Sequence, residues 1–365
     1  MDKQAYLHLQ DGTVFGGRRV GAAGEAVGEV VFTTAMTGYL ETLTDPSYYG
    51  QIVVQTFPLI GNCGVIPQDL ESGKPQLAAY IVRECCQTPS NFRCEGTLEA
   101  FLAAHNIVAL EGIDTRALTR IVREAGVMNG LITDSPTLTA AQKQQLDGYQ
   151  IHHAVAAVCQ PGVQTLPAEG QEVCHVALWD FGAKGNIAQS LQKRGCRVTV
   201  FPADSTAEQI LSARPDGVML TNGPGDPKEN AGILAQLSRV CLAKLPTFGI
   251  CLGHQLLALC RGAETEKLKY GHRGANQPAK DVETGRVYIT SQNHGYAVKN
   301  DSVKAPDRVR FVNVNDGTCE GIEYGDWPAF SVQFHPEACA GPLDTAFLFD
   351  RFVDMMKGGN GHAAE

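Results

Sequence analysis

Several features of membrane and nucleic-acid-binding proteins are missing from this chain. No apolar stretch of the 365-residue sequence approaches the roughly 20 residues that a membrane-spanning helix needs. The first residues, MDKQAYLHLQDG, contain no apolar core of a signal peptide. The formal net charge is -9, whereas a nucleic-acid-binding surface is usually basic. We therefore expect a chain that binds neither a membrane nor a nucleic acid.

Motifs for nucleotides and metals are also missing. The sequence has no G-x-x-x-x-G-K-[ST] loop and no clear dinucleotide fingerprint, so we expect no cofactor in this chain. Its 12 cysteines include no C-x-x-C pair and no zinc-type spacing, which predicts no metal site. Many unpaired thiols are typical of a reducing compartment, so a cytoplasmic location is expected.

The length and the pattern of the chain predict two domains. Residues 1–150 combine short β-type runs with a helical stretch, which predicts an α+β domain. Residues 151–174 lose periodicity and are rich in proline and glycine, as a linker would be. In residues 175–365 strands alternate with helices, which predicts an α/β domain with a doubly wound, mostly parallel sheet. A strand-rich extension and a final helix complete this domain.

Cys251 is the strongest candidate for a catalytic residue. It stands between Gly249 and Gly253, where a strand-like run passes into a helical one. This is the G-x-nucleophile-x-G pattern of a tight turn that exposes a side chain at the carboxyl edge of a sheet. The positive end of the following helix favours the thiolate, which is the nucleophilic form.

A histidine and a glutamate could complete the site. His335 ends an apolar strand, and Glu337 lies two residues later, so both side chains point the same way if the chain is extended. Glu337 could then orient the imidazole of His335 as the base. His254 is a competing base that we expect to be structural, and His294 is expected in a loop or pocket wall. The glycine-rich loop 221–227 could supply backbone N–H groups to an oxyanion.

Three motifs carry a resemblance to a known family. The motifs GICLGHQ, TNGPGDP and FHPEA resemble those of the triad-type (class I) glutamine amidotransferases, with Cys251, His335 and Glu337 as nucleophile, base and orienting residue. In the amino half, GEVVFTTAMTGYLETLTDPSYYGQIV and NIVALEGIDTRALTR look like the small, glutamine-hydrolysing subunit of carbamoyl phosphate synthetases. Other triad amidotransferases do not share that amino domain.

The resemblance implies a substrate, a partner and further site residues. Glutamine would be hydrolysed through a glutamyl thioester, and a large synthetase subunit would use the ammonia with ATP, magnesium and bicarbonate to make carbamoyl phosphate. The oxyanion would be held by the backbone N–H groups of Leu252 and Gly225. The amino-acid end of glutamine would contact Ser47, Gly223, Gln255, Asn293, Gly295 and Tyr296.

Two other functions are compatible with the residues alone. Another glutamine amidotransferase, or a cysteine hydrolase of γ-glutamyl compounds, would keep the same three residues but use a different acceptor. A non-catalytic assembly module is the alternative from a different class, and the presence of Cys251, His335 and Glu337 together argues against it.

Overall fold

The computed structural model describes residues 4–358 and divides the chain into two compact units, Met1–His152 and His153–Glu365. The division falls near the start of the predicted linker. Within the described residues, no helix is both long and apolar enough to cross a membrane.

The amino-terminal unit contains a closed barrel of strands in the order β1-β2-β8-β6-β4-β3-β9. The strands of this unit are β1 (Gln4–Leu9), β2 (Val14–Gly21), β3 (Ala26–Thr33), β4 (Gln51–Gln55), β5 (Leu59–Ile60), β6 (Ala79–Ile81), β7 (Glu84–Cys85), β8 (Val108–Glu111) and β9 (Met128–Thr133). Its helices are α1 (Tyr39–Thr44), α2 (Leu98–Ala104), α3 (Thr115–Ala125) and α4 (Ala140–Gly148). The barrel combines parallel pairs, such as β3 with β4, and antiparallel pairs, such as β1 with β9.

Alternation along the barrel strands separates two apolar clusters. Ile52 and Val54 of β4 pack in a cluster with α3, whereas Val53, between them, packs in a cluster with α1 and α2. Successive side chains of a strand point to opposite faces, so β4 is buried on both sides. The sequence predicted helices and strands here, but not the closure of the barrel, because closure depends on pairing between distant segments.

The carboxyl-terminal unit is built on one sheet in the order β10-β12-β11-β13-β14-β19-β18-β17-β15-β16. These strands are β10 (Gln164–Leu166), β11 (Cys174–Trp179), β12 (Cys196–Phe201), β13 (Gly217–Leu220), β14 (Thr247–Ile250), β15 (Thr265–Asp281), β16 (Val287–Val298), β17 (Arg308–Asn313), β18 (Cys319–Tyr324) and β19 (Ala329–Val332). The helices are α5 (Ala154–Val158), α6 (Gly185–Gln192), α7 (Ala207–Ser212), α8 (Ala231–Cys241), α9 (Leu252–Cys260) and α10 (Phe347–Met356).

Only the middle of this sheet is parallel, so the prediction of a mostly parallel sheet was too broad. The strands β12, β11, β13, β14 and β19 run parallel to their neighbours in that series. β10 and the strands β18, β17, β15 and β16 are joined antiparallel. The predicted strand-rich extension therefore continues the same sheet, and its short turns allow only antiparallel pairing.

Apolar side chains cover both faces of the sheet. Val176 and Leu178 of β11 pack in a cluster with α6 and α10. Ala177 and Trp179, which alternate with them, pack in a cluster with α7, α8 and α9. The helices therefore lie on two sides, and the carboxyl ends of the central parallel strands open towards the loops between them.

Part of the segment predicted as a linker is structured. Ala154 and Val155 of α5 are buried, and β10 pairs with β12 at the edge of the sheet. Both elements belong to the carboxyl-terminal unit. The proline and glycine residues of this segment lie around these short elements. The elements are therefore too short and too interrupted to produce a visible periodicity in the sequence.

Candidate active site

Cys251 occupies a strained turn between β14 and α9. Its backbone has φ 53° and ψ -104°, a conformation that residues other than glycine rarely adopt. A Cβ on Gly253 would lie 2.4 Å from the carbonyl oxygen of Leu220, and one on Gly249 would lie 2.9 Å from that of Gly253. Close packing of the backbone therefore requires both glycines, and strain of this kind is concentrated at functional sites.

The thiol of Cys251 is buried near the end of the parallel strands. The residue is 3% exposed, and its Sγ lies 3.7 Å from the carbonyl oxygen of Asn293, to which the thiol donates. Because α9 begins at Leu252, Cys251 also lies at the positive end of a helix.

His335 and Glu337 follow the neighbouring parallel strand. Ile250 of β14 is paired with Val332 of β19, so Cys251 and His335 leave adjacent strands at the same edge of the sheet. The imidazole Nδ1 of His335 lies 2.6 Å from Oε1 of Glu337, and both side chains are buried. This hydrogen bond leaves Nε2 as the ring nitrogen available for chemistry.

The charges around His335 favour its protonated form. Burial lowers the pKa of His335 and Lys184 lowers it further, but the negative charge of Glu337 and the neighbouring Cys251 outweigh both and raise it to about 10. Burial raises the pKa of Glu337, but the charge of His335 and the hydrogen bond to it leave that pKa below its ordinary value. The pair is therefore an imidazolium and a carboxylate at neutral pH.

Lys184 is a residue of the site that the sequence analysis missed. Its Nζ lies 3.7 Å from Oε1 of Glu337, and both side chains are buried. The residue precedes α6, where its backbone N–H donates to the Asn222 side chain over 3.0 Å. The signal that could have identified Lys184 is its position, since it follows β11 at the same edge of the sheet as Cys251. No local motif marks it.

His254 does not take part in the same contacts. Its Nδ1 lies 2.8 Å from the hydroxyl of Ser331, and burial alone lowers its pKa to about 3. The imidazole is fully buried and neutral, and it joins α9 to β19. These contacts favour the structural role of His254 over its role as a base.

The loop at residues 221–227 follows β13 and lies at the same edge of the sheet. Gly225 has φ 87°, and a Cβ on Gly223 would lie 2.3 Å from the carbonyl oxygen of Phe181. The hydroxyl of Thr221 accepts the N–H of Phe181 over 2.9 Å. The loop is therefore held tightly against the end of β11.

The other residues that the resemblance implies fall into two groups. In the carboxyl-terminal unit, the side-chain amide of Gln255 donates to the carbonyl oxygen of Tyr296 over 2.8 Å and to Gln333 over 2.9 Å. Asn293, Gly295 and Tyr296 are carried by β16. Ser47 lies in the amino-terminal unit, in the 3-10 turn Pro46–Tyr48, where its N–H donates to Asp45 over 2.9 Å.

His294 belongs to a buried polar network beside these residues. Its Nδ1 lies 2.8 Å from the carbonyl oxygen of Tyr296, and its burial moves its pKa well below the ordinary value. Ligand atoms of His272, His294 and Glu320 lie within 4.8 Å of one another. Gln292 donates to Glu320 over 3.0 Å, and His272 is 2.8 Å from Asp316. Hydrogen bonds therefore account for this group without an ion.

Comparison with known proteins identifies the family. Residues 7–132 match the model of the carbamoyl-phosphate synthase small chain, CPSase domain. The chain is 50% identical over 350 residues to the carbamoyl phosphate synthase small chain of Clostridium perfringens, covering 96% of this chain and 99% of the relative. This chain belongs to the carbamoyl phosphate synthase small-chain family. The small chain of Staphylococcus epidermidis is 48% identical over 363 residues, covering 98% and 97% of the two chains.

The carboxyl-terminal unit of this family member contains the candidate site. Residues 177–355 match the class-I glutamine amidotransferase family model, and this range includes Lys184, Cys251, His335 and Glu337. The family match confirms the resemblance seen in the sequence, and with it the prediction of a glutamine-hydrolysing amidotransferase subunit.

Proposed function

We propose that this chain hydrolyses glutamine through a glutamyl thioester on Cys251 and delivers the ammonia to a large synthetase chain. The observation that carries the mechanism is the placement of Cys251 and of the His335–Glu337 pair at the ends of adjacent parallel strands. Ligands of such sheets bind beyond the carboxyl ends of the strands. Helices on both faces of the sheet support a doubly wound arrangement for this unit.

In the first step, the thiolate of Cys251 attacks the side-chain amide carbon of glutamine. The carbonyl oxygen gains negative charge, which the backbone N–H groups of Leu252 and Gly225 would stabilise. Leu252 is the first residue of α9, and the first N–H groups of a helix have no partner within it. The flexible backbone of glycine suits the second donor.

In the second step, the tetrahedral intermediate collapses. The imidazolium of His335 donates its Nε2 proton to the departing nitrogen, so the carbon–nitrogen bond breaks and ammonia leaves. The thioester remains on Cys251. The neutral imidazole of His335 then takes a proton from water, the hydroxide attacks the thioester carbon, and glutamate is released with the thiolate restored.

Glu337 and Lys184 would act through His335. The carboxylate of Glu337 fixes the ring by its bond to Nδ1 and stabilises the imidazolium. Lys184 opposes this effect, because its positive charge lowers the pKa of His335. The two residues together would set the strength of His335 as an acid.

The amino-acid end of glutamine needs separate contacts. We assign these to residues of the loops and strand beside Cys251, supported by the bond that ties Gln255 to the backbone of Tyr296. Ser47 of the amino-terminal unit is included on the resemblance alone. The proposed contacts are Ser47, Gly223, Gln255, Asn293, Gly295 and Tyr296.

The partner would supply the chemistry that this chain's motifs do not provide. A large synthetase subunit would bind ATP and magnesium and combine ammonia with bicarbonate, while this chain would need no cofactor. Hydrolysis without an acceptor wastes glutamine, so we expect weak activity of the isolated chain and stimulation by the partner. A coupling free energy of roughly 1 to 3 kcal/mol corresponds to about 5 to 150-fold stimulation.

Replacement of the nucleophile tests the proposal. Cys251→Ser should lower glutamine hydrolysis by at least roughly 10³-fold, because a hydroxyl ionises far less readily than a thiol. Thermal unfolding should remain cooperative. Cys159→Ser, which changes a cysteine outside the site, should keep full activity. Near-normal hydrolysis by the folded Cys251→Ser variant would eliminate the proposed mechanism.

A further inference from the structure

Two cysteines outside the candidate active site lie side by side at the ends of neighbouring helices. Cys241 is the last residue of α8, and Cys260 is the last residue of α9. Their sulfur atoms are 4.0 Å apart, and both residues are partly exposed. A disulfide requires a sulfur–sulfur distance of about 2.05 Å, so the two sulfur atoms would have to move about 2 Å closer.

The surroundings make the two thiols unequal. The hydrogen bond with Cys241 lowers the pKa of Cys260, and the Ser238 hydroxyl and the charge of Arg261 act in the same direction, against burial. The negative end of α9 opposes them. The same thiol–thiol hydrogen bond raises the pKa of Cys241. The Ser238 hydroxyl lies 3.3 Å from the Cys260 sulfur as a second hydrogen-bond partner, so we assign Cys260 as the thiol that ionises first, with Cys241 placed to react with it.

We propose that Cys241 and Cys260 form a peroxide-sensitive pair that converts reversibly into a disulfide linking α8 to α9. The Cys260 thiolate attacks one oxygen of hydrogen peroxide, the O–O bond breaks, and hydroxide leaves, which produces a sulfenic acid. The Cys241 thiol then attacks that sulfur, the S–O bond breaks, and the hydroxyl leaves with the thiol proton as water. The dithiol loses two electrons, and peroxide gains them.

Another pair of neighbouring cysteines provides a contrast. Cys174 of β11 and Cys196 of β12 are direct partners in the parallel register. They are only 4% and 0% exposed, and burial raises the pKa of both thiols, that of Cys196 to about 12. Buried, protonated thiols react slowly. Proximity along the sheet should therefore be insufficient, and this pair should remain reduced.

Limited oxidation of the reduced, full-length chain tests the proposal. After treatment with one molar equivalent of hydrogen peroxide, free thiols are alkylated and the digest is analysed by mass spectrometry. We expect one cross-linked peptide pair, containing Cys241 and Cys260, that dithiothreitol separates. Cys174→Ser should form the same cross-link to the same extent.

Single variants identify the order of the steps. In Cys241→Ser, oxidation should stop at a sulfenic acid on Cys260, which dimedone captures. In Cys260→Ser, the amount of dimedone adduct on Cys241 should be at most a small fraction of that amount. Equal capture in the two variants would overturn the assigned order. A cross-link between other cysteines, or complete alkylation of Cys241 and Cys260 after peroxide treatment, would overturn the site itself.

Discussion

Replacement of Glu337 by glutamine should change the pH dependence of hydrolysis in a defined direction. Glutamine keeps the volume, and its carbonyl oxygen can still accept the Nδ1–H of His335, but the negative charge is lost. An opposite charge nearby typically shifts the pKa of a group by about 1 to 3. The 2.6 Å contact between the two buried groups, His335 and Glu337, justifies the upper end of that range. The pKa of His335 should therefore fall by about 3 from its value of about 10.

The profile of kcat/KM against pH is the appropriate assay. His335 must carry a proton to release ammonia, so activity should be lost as pH rises through its pKa. In the wild-type chain the alkaline fall should lie near pH 10, and Glu337→Gln should bring it close to neutrality. The free energy of unfolding should also fall as pH rises. The raised pKa of His335 contributes fully to stability below about pH 6.5, and that contribution is lost as pH rises through about 10.

Lys184→Met provides the opposite perturbation. Because Lys184 lowers the pKa of His335, its removal should move the alkaline fall to higher pH. Glu208→Gln removes an exposed carboxylate of α7 and should leave the profile unchanged. If Glu337→Gln left the alkaline fall in place, or if the two site variants moved it in the same direction, the electrostatic account of His335 would be refuted.

Two further predictions concern stability. Gly253→Ala should lower the free energy of unfolding in urea by about 3 kcal/mol, because its Cβ would meet the Leu220 carbonyl oxygen, whereas Gly232→Ala, with open space around it, should raise it by roughly 0.5 to 1 kcal/mol. Equal effects of the two changes would contradict the packing argument. For His254, whose pKa is about 3, stability should fall as pH drops from 6.5 towards 3, by about 1.4 kcal/mol per pH unit at most, and His254→Asn should reduce that slope. An unchanged slope would show that His254 is not buried neutral.

Local geometry explains which parts of the site the sequence predicts well. The glycines around Cys251 mark a turn that no other residues allow. His335 and Glu337 meet across a turn in which the N–H of Ala338 donates to the carbonyl oxygen of His335, and not along the extended chain that their spacing suggested. Both features depend on a few consecutive residues. By contrast, the approach of these two segments depends on the pairing of β14 with β19, which spacing alone does not indicate.

Features that depend on distant contacts were missed. Lys184 has no motif of its own, and its ion pair with Glu337 joins two strand ends that are far apart in the sequence. The barrel of the amino-terminal unit closes through pairing of β1 with β9. The antiparallel region of the sheet in the carboxyl-terminal unit is likewise longer than the sequence predicted. A strand pattern indicates which residues are buried, but it does not indicate which strand pairs with which.

Mass spectrometry of the acid-quenched enzyme tests the central claim most directly. During turnover with glutamine, the peptide that contains Cys251 should carry a glutamyl group, and hydroxylamine should remove it. The adduct should be absent from Cys251→Ser and should increase as the pH falls further below the pKa of His335, because deacylation needs the neutral imidazole. Steady release of glutamate with no adduct at Cys251, or with an adduct on a different cysteine, would contradict the account.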